Sequence, residues 1–495
     1  MISSAIGWYF KQRHQELWSL ADKAIKNQHE LLEYFTDKLS RIVYGHDHHV
    51  KNRLSYDEFR SALPVVGYEE LKPYIQRNME GEQQLLWPAD ITWFAKSSGT
   101  TSNESKFIPI TFEALEHTHF KGSKEPITQF YSFYPEADIF SGKGILIGGS
   151  HNINQVNESC YYGDLSAVLM THMPQWANWK SAPDVHISMM DNWEEKVEMM
   201  AQSTIHENIT SISGAPTWSM VLLNRVLEIT GKSHIHEVWP NMQLFIHGGM
   251  SFEPYREIYK KLIPGDHMRY VETYNASEGF FGVQAYKEQK DLLLMTHHGI
   301  FYEFYPVNKG PKYAVPLWEV ETGVNYAVVV TNNSGLWRYV IGDTIEFTNT
   351  EPYLFKITGR TKLFINAFGE ELIMENAETA VAEVCKVMNL EVVDYTGAPC
   401  FEKGKEGHEW IFEFKSNPNN LDDFIQLFDD ELKKVNSDYE GKRVGELLMK
   451  PPRIHLSSPG GFKRWLQDKG KLGGQNKIPR LANHRKHLEE ILHFI

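Results

Sequence analysis

"NMQLFIHGGM" (241–250) and "YVETYNASEGFFG" (270–282) are two short apolar runs that each break on glycine. Similar runs recur between Asp138 and about Val330: "GILIGGS" (144–150), "ITSISGAP" (209–216) and "GIFYEFYPV" (299–307). Between them the apolar residues fall at helical spacing. Strands interleaved with helices imply an α/β architecture with mostly parallel sheets flanked by helices.

Working outward, "NYAVVVTN" (325–332), "RYVIGDTIEFTN" (338–349) and "YLFKITGRTKLFIN" (353–366) are closer together and alternate more strictly. They predict a small antiparallel sheet. After about Arg360 the pattern resets to a helix "MENAETAVAEVCKVM", a strand "EWIFEFK", a helix "LDDFIQLFDDELKKV" and a basic tail. The expected division is a large domain over 1–360 and a small, mobile α+β domain over 361–495. Upstream, residues 11–45 carry apolar residues three and four apart, which predicts one or two amphipathic helices with Gly45 as a stop. "PVVGYEELKPYIQRNMEGE" (64–82) reads as a strand or turn followed by a helix.

A chain of 495 residues with 42% hydrophobic and 23% charged residues has the composition of a soluble globular enzyme. No apolar run approaches the roughly 20 residues a membrane span needs, so no membrane partner is expected. The opening lacks the pattern of a secretory signal. Three scattered cysteines, Cys160, Cys385 and Cys400, suit a reducing compartment, and a cytoplasmic setting is expected. The net charge of -14 disfavours a nucleic-acid partner. The charge is unevenly spread: residues 450–495 hold ten Lys/Arg against Asp468, Glu489 and Glu490. Such a tail is either a solvated face or a cationic flap that meets a polyphosphate.

Several stretches have the residue types for nucleotide chemistry. "FAKSSGTTSNESKFIPIT" (94–111) places Ser97, Ser98, Gly99, Thr100, Thr101 and Lys106 between a strand and a helix that Thr111 would cap. Small residues there let N–H groups and hydroxyls converge on phosphate, although an ordinary turn has the same composition. Walker A spacing is absent. In "YVETYNASEGFFG", Tyr274 precedes the Asn275-Ala276-Ser277 turn, and Glu278 stands at a strand end. A lone carboxylate in that position suits Mg²⁺ held jointly with substrate phosphates, or is simply an exposed turn residue. In "GLWRYVIGDTIEF" (335–347), Arg338 and Asp343 flank an apolar run; Asp343 suits two ribose hydroxyls, or a Gly-Asp hairpin turn. Arg360 lies in "TGRTK" at the domain boundary, and Lys477 in "GGQNKIPRL" (473–481) follows two glycines as a charge deliverable on closure.

Taken in order, these motifs resemble the adenylate-forming superfamily, and more closely the Gretchen Hagen family of acyl acid-amido synthetases. The likeness spans residues 64 to 480, through "HGGM" (247–250), "YEFYPV" and "NYAVVVTNNSGLWRYVIGDTIEFT" as well as the stretches above. It implies the adenylate-forming fold with a C-terminal lid. It also implies a two-step ligase using ATP and Mg²⁺: a small carboxylic acid is adenylated with release of pyrophosphate, and an amino acid amine then attacks to form an amide. Transfer to a thiol such as coenzyme A, or a nucleotide-binding protein without catalysis, are the alternatives. On the resemblance, Ser97, Ser98, Gly99, Thr100 and Thr101 meet phosphates. Gly248, Gly249 and Met250 line the adenine and acyl pocket. Tyr274 stacks near adenine, with Ser277 beside it. Glu278 ligates the metal, Asp343 binds ribose with Arg360 beside it, and Lys106 and Lys477 supply catalytic charge.

Two departures stand out. Asn103 and Ser105 replace a family glycine and arginine, and Asn tolerates the left-handed backbone a loop needs. "HTHFKGSKEP" (117–126) lacks the arginine expected near the acyl carboxylate, leaving Lys121 or Lys124 as substitutes. "GHDHHV" (45–50) and "THHG" (296–299) show no completed metal-ligand spacing and read as a surface loop and as strand residues.

Overall fold

The computed structural model describes residues 2–97, 106–148, 153–190, 192–249, 252, 255–361, 364–402, 404, 406–446, 448–469 and 478–495. They group into two compact units, one running up to Ser97 and over Lys106–Thr361, the other following Thr361.

In the first unit, β1 (Trp93–Ser97) and β2 (Lys106–Ile110) form an antiparallel pair, with β5 (Cys160–Gly163) parallel to β1 and β4 (Asn154–Asn157) on its far edge. Among the described residues the main sheet has twelve strands. Its first half contains β3 (Lys143–Ile147), β6 (Ser181–Ala182), β7 (Ile209–Gly214), β8 (Leu244–Gly248) and β9 (Arg269–Ala276). The second contains β10 (Gly279–Gln284), β11 (Leu292–Leu294), β12 (Ile300–Pro306), β13 (Val315–Pro316), β14 (Asn325–Asn332), β15 (Tyr339–Thr350) and β16 (Tyr353–Arg360). The spatial order is β13-β12-β14-β15-β16-β11-β10-β9-β8-β7-β3-β6.

The sheet changes character at "YNASEGFFG". From β6 to β9 every pairing is parallel, because helices such as Pro216–Thr230 and Arg256–Leu262 carry the chain back between strands. From β9 onward every pairing is antiparallel, since a turn of only Ser277 and Glu278 cannot make a crossover. The antiparallel strands therefore continue the parallel sheet rather than forming a separate small one, and they outnumber the parallel strands.

The N-terminal segment forms two helices, Ile2–Ala21 and Ala24–Leu39. The second ends at Leu39, not at Gly45. Gly45 lies inside a short helix, Val43–Asp47, so close to Leu39 that a Cβ would sit 1.8 Å from its carbonyl oxygen. Phe35 and Leu39 pack with Phe59, Trp87, Phe301 and Trp337 in the main core, and the Trp337 indole donates to the Leu86 carbonyl at 3.0 Å. Burying that ring leaves no polar atom unpaid.

In the second unit, β17 (Phe364–Ile365) pairs with β18 (Leu372–Ile373), and β19 (Val392–Cys400), β20 (Gly407–Phe414) and β21 (Arg453–Leu456) form a three-stranded sheet. Helices Met374–Val387 and Leu421–Val435 belong to this unit. Described basic residues of the tail are ion-paired within it: Lys469 with Glu490, Arg480 with Glu378, and Arg485 with Glu409.

Candidate functional site

The site is built where β9 turns into β10 and where β15 runs beside β16. Glu278 is one of two residues in the β9–β10 turn and is only 8% exposed. Burial pushes its carboxyl up, the Lys106 ammonium partly offsets that, and the Asp343 carboxylate adds to it. Asp343 sits opposite Arg360 in the β15–β16 register, and the Arg360 Nε donates to Asp343 Oδ1 at 2.7 Å. The Tyr274 hydroxyl donates to the other oxygen, Oδ2, at 2.6 Å. A carboxylate offers about four lone-pair directions. With two taken by these clamps, Asp343 keeps acceptor capacity for vicinal hydroxyls. Tyr274 itself is packed against Phe281 and Phe355, with ring centroids 4.9 and 6.0 Å away, and is 6% exposed. Its hydroxyl thus holds one oxygen of Asp343 while its ring packs among those neighbours.

Lys106 opens β2 opposite Ser97, the last residue of β1. The ammonium lies 5.9 Å from the centre of the Tyr68 ring, and the Tyr68 hydroxyl accepts from the Phe107 amide at 2.9 Å. Lys106 is buried at 5% exposure, and its charge acts on the Glu278 carboxylate. Thr111 caps the following helix as expected: its Oγ1 accepts from the Ala114 amide at 2.9 Å and donates to the Asn333 carbonyl at 2.6 Å.

At the end of β8 two glycines serve different needs. A Cβ on Gly248 would lie 2.5 Å from the Thr273 carbonyl oxygen, so only glycine lets β8 and β9 approach there. Gly249 has φ +79°, with open space where a side chain would project. Ser277 is half-buried beside Glu278. Ser98, Gly99, Thr100, Thr101, Met250 and Lys477 lie outside the described residues.

The donor set fits a magnesium ion that arrives with nucleotide. Mg²⁺ takes one or two carboxylates plus phosphates and water rather than an all-protein cage. Glu278 is such a carboxylate, and no group of three His, Cys, Asp or Glu among the described residues is placed to hold a metal by itself.

Other residues have structural work. Arg338, at φ +44°, pairs through two hydrogen bonds with Glu303 (2.8 and 2.7 Å) and donates to the Arg60 and Leu63 carbonyls. The Lys121 ammonium donates to the His297 carbonyl at 3.0 Å, near the buried Arg13–Glu125–His298 group, while Lys124 is exposed. His297 and His298 occupy a buried turn between β11 and β12 rather than a strand, and burial holds both well below the usual imidazole range. "GHDHHV" spans the end of a short helix and its exposed turn. Tyr68, Asn332 and Asn333 have no motif of their own; the consecutive amides in a Gly-containing turn, "NNSG", are the one local signal.

The chain matches the GH3 family N-terminal domain over residues 13–268, the GH3 central domain over 293–360 and the GH3 C-terminal domain over 375–486. It belongs to the GH3 family. Among its GH3 relatives, a jasmonoyl–L-amino acid synthetase of Nicotiana attenuata is 26% identical, covering 77% of this chain and 78% of that one. Another, from Oryza sativa subsp. japonica, is 24% identical over 94% of each. An indole-3-acetic acid-amido synthetase of Arabidopsis thaliana is 23% identical, covering 86% and 84%. In structure, a GH3.15 acyl acid amido synthetase aligns with TM-score 0.63 and 18% identity, covering 97% and 96%. A 2-hydroxyisobutyryl-CoA ligase aligns with TM-score 0.55 and 12% identity, covering 98% and 92%. The fold is that of the adenylate-forming enzymes. No helix among the described residues is long and apolar enough to cross a membrane.

Proposed function

We propose that this protein is an ATP-dependent acid–amino acid ligase: it adenylates a small carboxylic acid, releases pyrophosphate, and passes the acyl group to an amino acid amine to form an amide and AMP. The observation that carries the reading is the doubly clamped Asp343 together with a buried Glu278 on which the Lys106 charge acts, in a GH3 chain. Asp343 accepts from the ribose hydroxyls while Tyr274 and Arg360 keep its carboxylate from turning. Lys106 and the Ser97–Thr101 run hold the phosphates. Glu278 turns its carboxylate toward them from a turn too short to shift. Glu278 would hold magnesium together with phosphate, and the metal would supply positive charge against that developing at phosphorus. The domains divide at about residue 360, and Lys477 comes from the C-terminal one. A cytoplasmic setting fits the three cysteines, each buried and free.

The test is ATP–pyrophosphate exchange over a panel of aromatic, indolic and aliphatic acids, with Asp343→Ala as control. Exchange that requires one acid class and is lost in the control supports adenylation. Product mass with amino acids or with coenzyme A then separates amide from thioester formation. Binding of ATP with no exchange for any acid would count against the proposal.

A further inference from the structure

The carbonyl of Glu278 belongs to the same two-residue turn from which its carboxylate projects, so a bond that holds the carbonyl holds the backbone carrying the side chain. That carbonyl accepts from the Asn332 Nδ2 at 2.7 Å. Asn332 ends β14 and is 1% exposed. Its Oδ1 accepts from the Ser334 amide at 3.0 Å and the Leu336 amide at 3.1 Å. Two N–H donors on one end fix which end of the amide is oxygen, leaving the NH₂ to face Glu278. No other side chain of that length offers a donor and a two-fold acceptor at once. Asp lacks the donor, Ser is too short to span the gap, and Gln would displace the turn.

Asn333, the next residue, is an internal contrast. It is also 1% exposed, but its bonds run elsewhere. Its Oδ1 accepts from Thr118 Oγ1 at 3.0 Å, its Nδ2 donates to the Glu113 carbonyl at 3.3 Å, and its amide donates to the Gly299 carbonyl at 3.3 Å. One amide holds the Glu278 turn, and the other anchors the helix that Thr111 caps.

We infer that Asn332 is a positioning residue for Glu278, setting the carboxylate for magnesium–nucleotide while touching neither. This rests on the reading of Glu278 as the metal-facing carboxylate. Partners that orient a metal ligand typically change metal affinity about 10- to 100-fold when removed.

The experiment titrates Mg²⁺ into protein with the α,β-methylene analogue of ATP and follows nucleotide binding by calorimetry, so no acid substrate is needed. Asn332→Asp keeps the acceptor for Ser334 and Leu336 and deletes the donor; Asn332→Ser removes both and guards against an Asp variant that does not fold. Glu278→Gln reports on the underlying reading, and Asn333→Ala on general loosening of the turn. The expected result is a Mg²⁺ midpoint raised about tenfold in the Asn332 variants, raised in Glu278→Gln, and unmoved in Asn333→Ala despite a lower Tm. A midpoint shifted by Glu278→Gln but not by a folded Asn332 variant overturns the inference. A shift of equal size in Asn333→Ala overturns it as well, because general loosening then explains the effect. No shift in Glu278→Gln removes the metal reading and the inference with it.

Discussion

Two carboxylates a short distance apart are held in opposite ways. Asp343 accepts from donors at both oxygens, while Glu278 is buried with its carboxyl pushed up by burial, an effect the Lys106 charge partly offsets. Tyr274→Phe removes one clamp without emptying space. Losing a hydrogen bond worth about 0.5–1.5 kcal/mol net weakens ATP binding roughly 3- to 10-fold; titration calorimetry reads it, and unchanged affinity would detach Tyr274 from the ribose site. For Glu278 the sign follows from linkage. A carboxyl with a raised folded pKa is ionised at greater cost in the folded state, so stability is full below the unfolded value and is lost as pH rises through the folded one. Glu278→Gln removes that loss. Without nucleotide, its stability relative to the parent should therefore grow as pH rises above the ordinary carboxyl range, as read by urea midpoints. A gap independent of pH would show that the carboxylate is not penalised. Gly342-Asp343 ending an apolar run marks the position, and the family resemblance puts Arg360 beside it; the Tyr274 clamp is not legible, because Tyr274 lies 69 residues away.

Arg338 shows how a motif residue can serve the elements instead of the chemistry. It lies five residues from Asp343 in one quoted run, yet it points into the core, joins β12 through Glu303, and draws the Arg60–Leu63 backbone against the start of β15. Removing one partner of a buried, hydrogen-bonded ion pair costs about 3–5 kcal/mol, so Arg338→Ala should lower unfolding free energy by that order. A loss near that of a surface substitution would contradict the assignment. In the second unit Glu409 on β20 links β21 and the tail. Burial pushes its carboxyl up, but His455 and Arg485 hold it down to about 2. A depressed carboxyl contributes stability above its unfolded value that is lost as pH falls toward the folded one. Glu409→Gln should accordingly flatten acid unfolding of this unit between about pH 4.5 and about pH 2, and an unaltered acid limb would sink the claim. Most long strands and helices were legible from periodicity, down to the Thr111 cap. β19 was not, because Gly397 and Pro399 interrupt it, nor β21, which is four residues long. The mixed direction of the main sheet was hidden too, since apolar runs do not encode which neighbour they pair with.

Across the whole molecule, charge sorts into what the fold consumes and what chemistry requires. The net charge of -14 coexists with a C-terminal segment carrying ten cations, and several of these are spent on ion pairs inside the second unit. A polyphosphate substrate on an acidic protein needs cations held at its site. In the first unit Lys106 is built into β2, so it is present before and after any motion of the chain. Lys477, following Gly473-Gly474 and preceding Pro479, belongs to the segment beyond Thr361. A cation delivered by one domain to a substrate bound on another acts in the closed state and contributes little to the first encounter. Lys477→Ala should then slow pyrophosphate exchange about 100-fold, the scale of losing one charge-stabilising donor in the transition state, while the Kd for ATP stays nearly the same. Equal losses in rate and affinity would make Lys477 an ordinary ground-state contact. No loss in either would leave acyl activation to Lys106 and the metal, and would return the basic tail to a structural role in its own domain.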